Sequence, residues 1–197
     1  MKHVELQTML AAAMTGRSLV RISRNVDPDG TDGYVVDTSE HWLLLLLIGN
    51  GVTYEGFQAF RLRDITSLEV PSPRAAFYEA ALRKRGLRRP RTPKLNLAST
   101  QELICSAAKR FPLVGIHREK AQPDFYEIGK VIAASAASVS LLRVTPDATW
   151  DDGPTAYRLA QITRVDFGGP YEEALALVAG TPDSSIKRPS TVEVVKD

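Results

Sequence analysis

The sequence predicts an α+β protein, mainly β, with two tandem five-stranded barrels that each carry an N-terminal helix and a short C-terminal helix. Four strands are predicted in a row between residues 33 and 70. The longest is the apolar segment Trp42–Ile48, and Asn50-Gly51 forms the turn that follows it. A similar pattern of strands returns between residues 128 and 167.

An internal repeat is the second observation behind this fold class. Residues 7–24 resemble residues 101–118 at constant spacing, so that Leu19 matches Leu113 and Arg24 matches Arg118. Residues 60–70 resemble residues 157–167 further along the chain. Matches that keep the same order indicate duplication of one unit, whereas a solenoid needs several shorter repeats.

Each unit is predicted to begin with a helix and a strand. Val4, Met9, Leu10 and Ala13 approximate one apolar helix face in the first copy. The second helix is expected to start at Ser99, because a serine followed three residues later by glutamate forms a capping box. A polar loop, residues 25–33 in the first copy, separates that first strand from the following four.

Closure into small barrels is predicted from the number and length of the strands. Five short strands are too few for two packed sheets, and a barrel leaves no strand edge exposed. Because Trp42–Ile48 is apolar on both faces, we expect one face inside the barrel and the other covered by a helix or by the second unit. The predicted boundaries are residues 1–87 for the first unit, 88–98 for a basic linker, 99–180 for the second unit and 181–197 for a flexible tail.

Length, composition and charge limit the classes of function that the chain can have. With 197 residues, 44% hydrophobic residues and a net charge of +2, the chain is globular and has no strong overall field that would attract polyanions. One cysteine cannot form an internal disulfide. The N-terminus lacks a secretory signal, and no apolar run has the length of about 20 residues that spans a bilayer. We therefore expect a soluble, cytoplasmic protein with no membrane partner.

The order of elements in each copy, a helix followed by five strands with a long third strand, resembles the Sm-like family. That resemblance implies a small barrel of the Sm-like or SH3-like kind and a base-binding pocket formed by two loops. Asp37 matches the aspartate of the first loop motif, with His41 in place of the family's asparagine. Arg61 matches the arginine of the second motif without its glycine, and Arg158 matches it in the second copy. The resemblance thus implies Arg61, Arg158 and His41 as candidate nucleic-acid contacts.

A basic segment between the copies is the second candidate for polyanion binding. Clustered cations supply the phosphate contacts of nucleic-acid-binding proteins. The alternative is a solvated linker, because no aromatic residue lies between Tyr78 and Phe111. The candidate residues at its start are Arg83, Lys84, Arg85, Arg88, Arg89 and Arg91.

Aromatic residues provide a candidate protein interface. Alternation with Phe60 and Leu62 places Phe57 on the outer face of its strand, where we expect it to contact either the second unit or a partner. Trp42 begins the apolar strand. No motif of a hydrolase, nucleotide-binding loop or zinc site is present, so we expect no enzyme, no metal and no cofactor.

Two functions remain open. The first is an interaction or assembly module that binds a protein partner or associates with itself. The alternative is binding of RNA or other single-stranded nucleic acid through the basic segment, Arg61 and Arg158.

Overall fold

The computed structural model describes residues 3–123 and 125–182. The chain divides into two compact units, Met1–Lys94 and Leu95–Asp197, and the boundary falls within the predicted linker. The predicted tail lies outside the described residues from residue 183 onward.

Unit 1 contains two helices and five strands. The elements are α1 (His3–Gly16), β1 (Leu19–Arg24), β2 (Asp27–Thr38), β3 (Trp42–Ile48), β4 (Tyr54–Arg61), β5 (Ile65–Glu69) and α2 (Ala75–Lys84). A 3₁₀ turn, Leu62–Asp64, connects β4 to β5.

Unit 2 repeats this order. Its elements are α3 (Thr100–Ala108), β6 (Val114–His117), β7 (Tyr126–Ala134), β8 (Ser138–Arg143), β9 (Thr155–Arg158), β10 (Arg164–Phe167) and α4 (Pro170–Ala179). A 3₁₀ turn at Leu159–Gln161 again precedes the last strand.

The mainly-β composition is confirmed, but the two closed barrels are wrong. The strands of each unit form an open antiparallel series, ordered β5-β1-β2-β3-β4 in unit 1 and β10-β6-β7-β8-β9 in unit 2. In unit 1, β5 pairs with β1 and β4 pairs with β3, so β5 and β4 are the two ends of the series. Apolar alternation shows which faces are buried, and it does not by itself show that a sheet closes. Polar side chains protect the β5 edge instead, since Thr66, Ser67 and Glu69 are exposed.

The core of unit 1 lies between α1 and one face of the sheet. Leu6, Leu10 and Ala13 of α1 pack in one cluster with strand residues such as Leu45 and Phe60. The helix face differs from the predicted one, because Leu6 points inward while Val4 is 74% exposed.

Strand β3 is buried on both faces, as predicted. Leu43 and Leu45 belong to the cluster with α1, and Trp42, Leu44 and Leu46 on the alternate positions are also 0% exposed. A strand that is apolar at every position is typical of burial on both sides.

Strand β2 begins earlier than predicted. The polar residues expected to form a loop pair with β1, with Thr31 opposite Ile22 and Asp32 opposite Arg21. Arg21 donates to Asp32 from Nε at 3.3 Å and from Nη2 at 2.6 Å, so an ion pair across the strands replaces apolar packing. Because polar residues make this pairing, hydrophobic periodicity does not show where the strand begins.

The start of α3 is confirmed. The Ser99 side chain accepts a hydrogen bond from the backbone N–H of Glu102 at 3.1 Å, as expected of an N-cap serine. This bond fixes where the first helix of unit 2 begins.

The two units share irregular features at matching positions. The ladder between the second and third strands shifts register between Val35 and Asp37 in unit 1, and between Val131 and Ala133 in unit 2. The turn after the third strand places Val52 at a φ of 53° and Ala148 at a φ of 56°. Positive φ is uncommon outside glycine, so these matches are specific.

Two further contacts recur in both units. Leu62 N donates to His41 O, and Leu159 N donates to Ala137 O, each at 2.9 Å. A buried arginine also stacks on an aromatic ring in each unit. Arg24 lies 4.6 Å from the ring centroid of Phe60, and Arg118 lies 5.1 Å from that of Tyr157.

Candidate nucleic-acid interface

The basic segment predicted from the sequence lies in unit 1, and all six candidate cations in it are exposed. Arg83 and Lys84 lie in the last turn of α2, and Arg85 is its C-cap. Arg88, Arg89 and Arg91 follow in a segment without regular secondary structure. The structure gives these residues different surroundings.

Arg85 anchors the end of α2 to the turn between β3 and β4. Its Nη1 donates to the carbonyl oxygens of Gly51 at 2.6 Å and Val52 at 3.1 Å. Gly86 then adopts a φ of 66°, which lets the chain reverse direction after the helix. Arg85 therefore has a structural role in addition to its charge.

Arg89 returns to the sheet and stacks on Tyr34. Its guanidinium carbon lies 3.6 Å from the ring centroid, and Tyr34 is only 5% exposed. Burial raises the pKa of the Tyr34 phenol, Glu79 adds to this shift, and Arg89 opposes it. The phenol is therefore neutral at physiological pH and provides an uncharged aromatic surface.

An open groove of about 460 Å³ lies beside this contact. Both Tyr34 of β2 and Tyr54 of β4 line it, together with the exposed cations Arg83 and Arg88. We call this feature the tyrosine–arginine groove. Its remaining lining residues are Glu79, Leu82, Gly86 and Leu87.

Sequence reasoning missed Tyr34, and it did not connect Tyr54 with the basic segment. Neither lies near the basic segment along the chain, and each is a strand residue in a pattern typical of core packing. Strand pairing brings them to the same end of the sheet, because Tyr34 lies opposite Leu46 and Tyr54 lies opposite Ile48. The chain folds back after α2 and places the arginines of the basic segment beside these two tyrosines.

The residues implied by the Sm-like resemblance lie at the other end of β3. Leu62 N bonds to His41 O, and the Arg61 guanidinium stacks on Trp42 at 4.4 Å from its ring centroid. Burial lowers the pKa of Arg61, and the charge of Arg63 lowers it further. Trp42 lies four residues along β3 from the partner of Tyr34 and six from the partner of Tyr54, or roughly 13–20 Å at ~3.3 Å per residue. Within unit 1, the structure thus brings His41 and Arg61 together and keeps them apart from the basic segment.

Arg158 is exposed in unit 2, where it precedes the 3₁₀ turn as Arg61 does in unit 1. Ala137 occupies the loop position that His41 holds in unit 1, so no imidazole accompanies Arg158.

The aromatic residues predicted to form a protein interface are buried. Trp42 is 0% exposed and Phe57 is 4% exposed, so neither offers an exposed surface among the described residues, and their role in a protein interface stays a prediction. Alternation correctly separates Phe57 from the face of Phe60, but both faces of this part of the sheet are buried.

A buried ionic cluster lies in unit 2 between β6 and β10. Arg164 donates to both carboxylate oxygens of Asp166 at 2.9 Å, and His117 Nε2 lies 3.2 Å from Asp166 and 2.6 Å from Arg164. Burial would raise the pKa of Asp166, but Arg164 and His117 outweigh it and lower that pKa. Thr163 donates to Glu119 at 2.7 Å, and Glu119 lies 3.7 Å from Arg164. The interactions between these side chains connect the two strands.

Tyr126 extends this cluster towards α4. Its ring stacks on His117 with centroids 4.3 Å apart, and its hydroxyl donates to Glu172. Burial raises the Tyr126 pKa, and the nearby carboxylates of Asp166 and Glu172 raise it further. The tyrosine therefore stays a neutral hydrogen-bond donor.

Comparisons with protein-family models, curated proteins and solved structures give no match. In residues 3–123 and 125–182, no group of three or more histidine, cysteine or acidic side chains is placed to hold a metal ion. No described helix is both long enough and apolar enough to cross a membrane.

Proposed function

We propose that this chain is a non-catalytic binding protein that holds single-stranded nucleic acid in the tyrosine–arginine groove. The observation that carries the proposal is the convergence of Tyr34 and Tyr54 with Arg83 and Arg88 on one groove. Proteins that bind single strands combine cations for the phosphates with aromatic rings for the bases. The groove offers both kinds of side chain within unit 1.

The arginines of the basic segment have different contacts, and this difference shows which of them are available to bind phosphates. Arg85 bonds to backbone carbonyls, whereas Arg83 and Arg88 are exposed at the groove and can face phosphates. We therefore expect Arg83 and Arg88 to provide the salt-dependent part of the affinity.

The test is a salt titration of RNA binding by wild type and by R83Q/R88Q. A matched control is K109Q/R110Q, which removes the same charge from two exposed positions at the end of α3. Each lost phosphate contact reduces the slope of log affinity against log salt by about 0.7 for a single strand. We expect the groove variant to lose about 1.4 from this slope and the control to match wild type.

Two results would contradict the proposal. Absence of RNA binding by wild type at low salt would exclude nucleic acid as the ligand. Equal weakening in both variants would show that the contribution is general charge, and Arg61 and Arg158 would be the next positions to change.

A second candidate is the interaction or assembly module, supported by the outer surface of α4. Leu177 is 85% exposed, Val178 is 74% exposed and Tyr171 is 50% exposed. Exposed apolar residues close together on one helix are typical of protein contact surfaces. If the chain associates with itself there, L177S/V178S should shift its mass in light scattering from oligomer to monomer. A monomeric wild type at high concentration would argue against self-association.

We also propose that the two units arose by duplication. Support comes from the shared order of elements, the matching register shifts and the positive φ of Val52 and Ala148. The resemblance to the Sm-like family is proposed on the order of elements in each unit, without a closed barrel. A cytoplasmic location stays a prediction.

A further inference from the structure

We infer that the face of Tyr34 covered by Arg89 is a stacking subsite for one nucleobase, which Arg89 occupies while the groove is empty. This inference rests on the proposed function, and it names what that function requires of one residue. It distinguishes Arg89 from Arg83 and Arg88, which we assign to phosphates.

Tyr34 is the fixed partner in this contact. It lies in β2, opposite Leu19 on one side and opposite Leu46 on the other, so strand pairing holds its backbone on both sides. Neither neighbouring strand can move without breaking the sheet.

Arg89 is the movable partner. It is exposed and lies in a segment without regular secondary structure, three residues after Gly86. Gly86 has a φ of 66° and open space where a Cβ would lie, so the reversal of the chain depends on backbone conformation and not on packing. The guanidinium can therefore leave Tyr34 while α2 and the sheet stay in place.

The geometry of the contact suits a base. A guanidinium is planar, and at 3.6 Å from the ring centroid it occupies the space that a stacked planar ring needs. The same tyrosine lines the groove that carries Arg83 and Arg88, so a phosphodiester chain in the groove would bring a base to it. Because Arg89 is exposed, and stacking of a base on an aromatic ring matches or exceeds a cation–π contact in strength, we expect the base to displace Arg89.

The experiment compares R89A with R88A, two variants that lose the same charge from neighbouring exposed positions. The probe is a short fluorescein-labelled oligoadenylate, with an abasic oligonucleotide of equal length as the second probe. We expect R88A to bind oligoadenylate about threefold to tenfold more weakly than wild type, because it loses a phosphate contact. We expect R89A to bind oligoadenylate at least as tightly as wild type, and any gain over wild type should disappear with the abasic probe. R88A should bind both probes more weakly than wild type, because both carry phosphates.

Nitration of tyrosines, mapped by peptide mass spectrometry, tests the contact without RNA. Tyr34 should react faster in R89A than in wild type or R88A, and oligoadenylate should protect it in each protein that binds. Equal weakening of R88A and R89A would overturn the subsite and leave the proposed function intact. Failure of wild type to bind either probe at low salt would overturn both.

Discussion

Replacing Asp166 by asparagine should destabilise the protein at neutral pH and have little effect in acid. The carboxylate is 6% exposed and accepts two bonds from Arg164 at 2.9 Å, with His117 at 3.2 Å. Removing one partner of a buried ion pair costs about 3–5 kcal/mol. Because the Arg164 side chain is 21% exposed and keeps Glu119 at 3.7 Å, we expect about 2–3 kcal/mol here.

The pH dependence follows from the lowered pKa of Asp166 in the folded state. A carboxyl with a pKa below that of the unfolded chain stabilises the fold above the unfolded value, near pH 4. That stabilisation is lost as the pH falls through the lower, folded-state pKa. The difference between wild type and D166N should therefore be full at pH 7, shrink below about pH 4 and vanish in stronger acid.

Urea titrations at several pH values would measure this difference. Each unit contains one of the two tryptophans, Trp42 in unit 1 and Trp150 in unit 2, so a W42F background reports on unit 2 by fluorescence. The reasoning is refuted if D166N matches wild type at pH 7 within about 0.5 kcal/mol, or if the difference persists undiminished at low pH.

Three further substitutions and one matched control, L47A, test the fold, each by the free energy of unfolding in urea. L45A removes a 0% exposed side chain of the α1 cluster and should cost about 2–5 kcal/mol, whereas L47A, at a half-buried position, should cost clearly less. A loss below about 1 kcal/mol in L45A would contradict the assigned core. V52N should stabilise by about 1 kcal/mol, because Val52 adopts a φ of 53° that asparagine tolerates better, and a clear loss would mean that valine packing matters more. S99A should cost about 1 kcal/mol by removing the N-cap of α3, and an unchanged midpoint would show that this bond contributes nothing.

Local patterns predicted much of the secondary structure. The apolar run of β3 correctly indicated a strand buried on both faces, and Ser99 with Glu102 correctly marked the start of α3. Such features depend on residues that are close in sequence, and they can be read without knowing the fold. Strand β2 was shortened in the prediction because Arg21 and Asp32 stabilise its beginning across the strands.

The open sheet and the candidate site depended on contacts between distant residues. Whether the last strand of a unit pairs with the fourth as well as with the first is decided by twist and edge geometry, which alternation does not encode. Phe57 was assigned to the outer face of its strand, and the strand sequence alone does not show what covers that face.

The basic segment shows most clearly which features the sequence determined and which the tertiary structure decided. Its charge and exposure were determined by the sequence, because a run of arginines with prolines cannot be buried. No aromatic residue lies within this segment, and pairing of β2 with β3 and of β3 with β4 supplied Tyr34 and Tyr54. Tertiary structure alone decided that Arg85 bonds to a turn, that Arg89 covers Tyr34, and that Arg83 and Arg88 face the groove. The physical reason is that charge is a property of each residue, whereas a binding surface requires that separate strands and a folded-back chain meet.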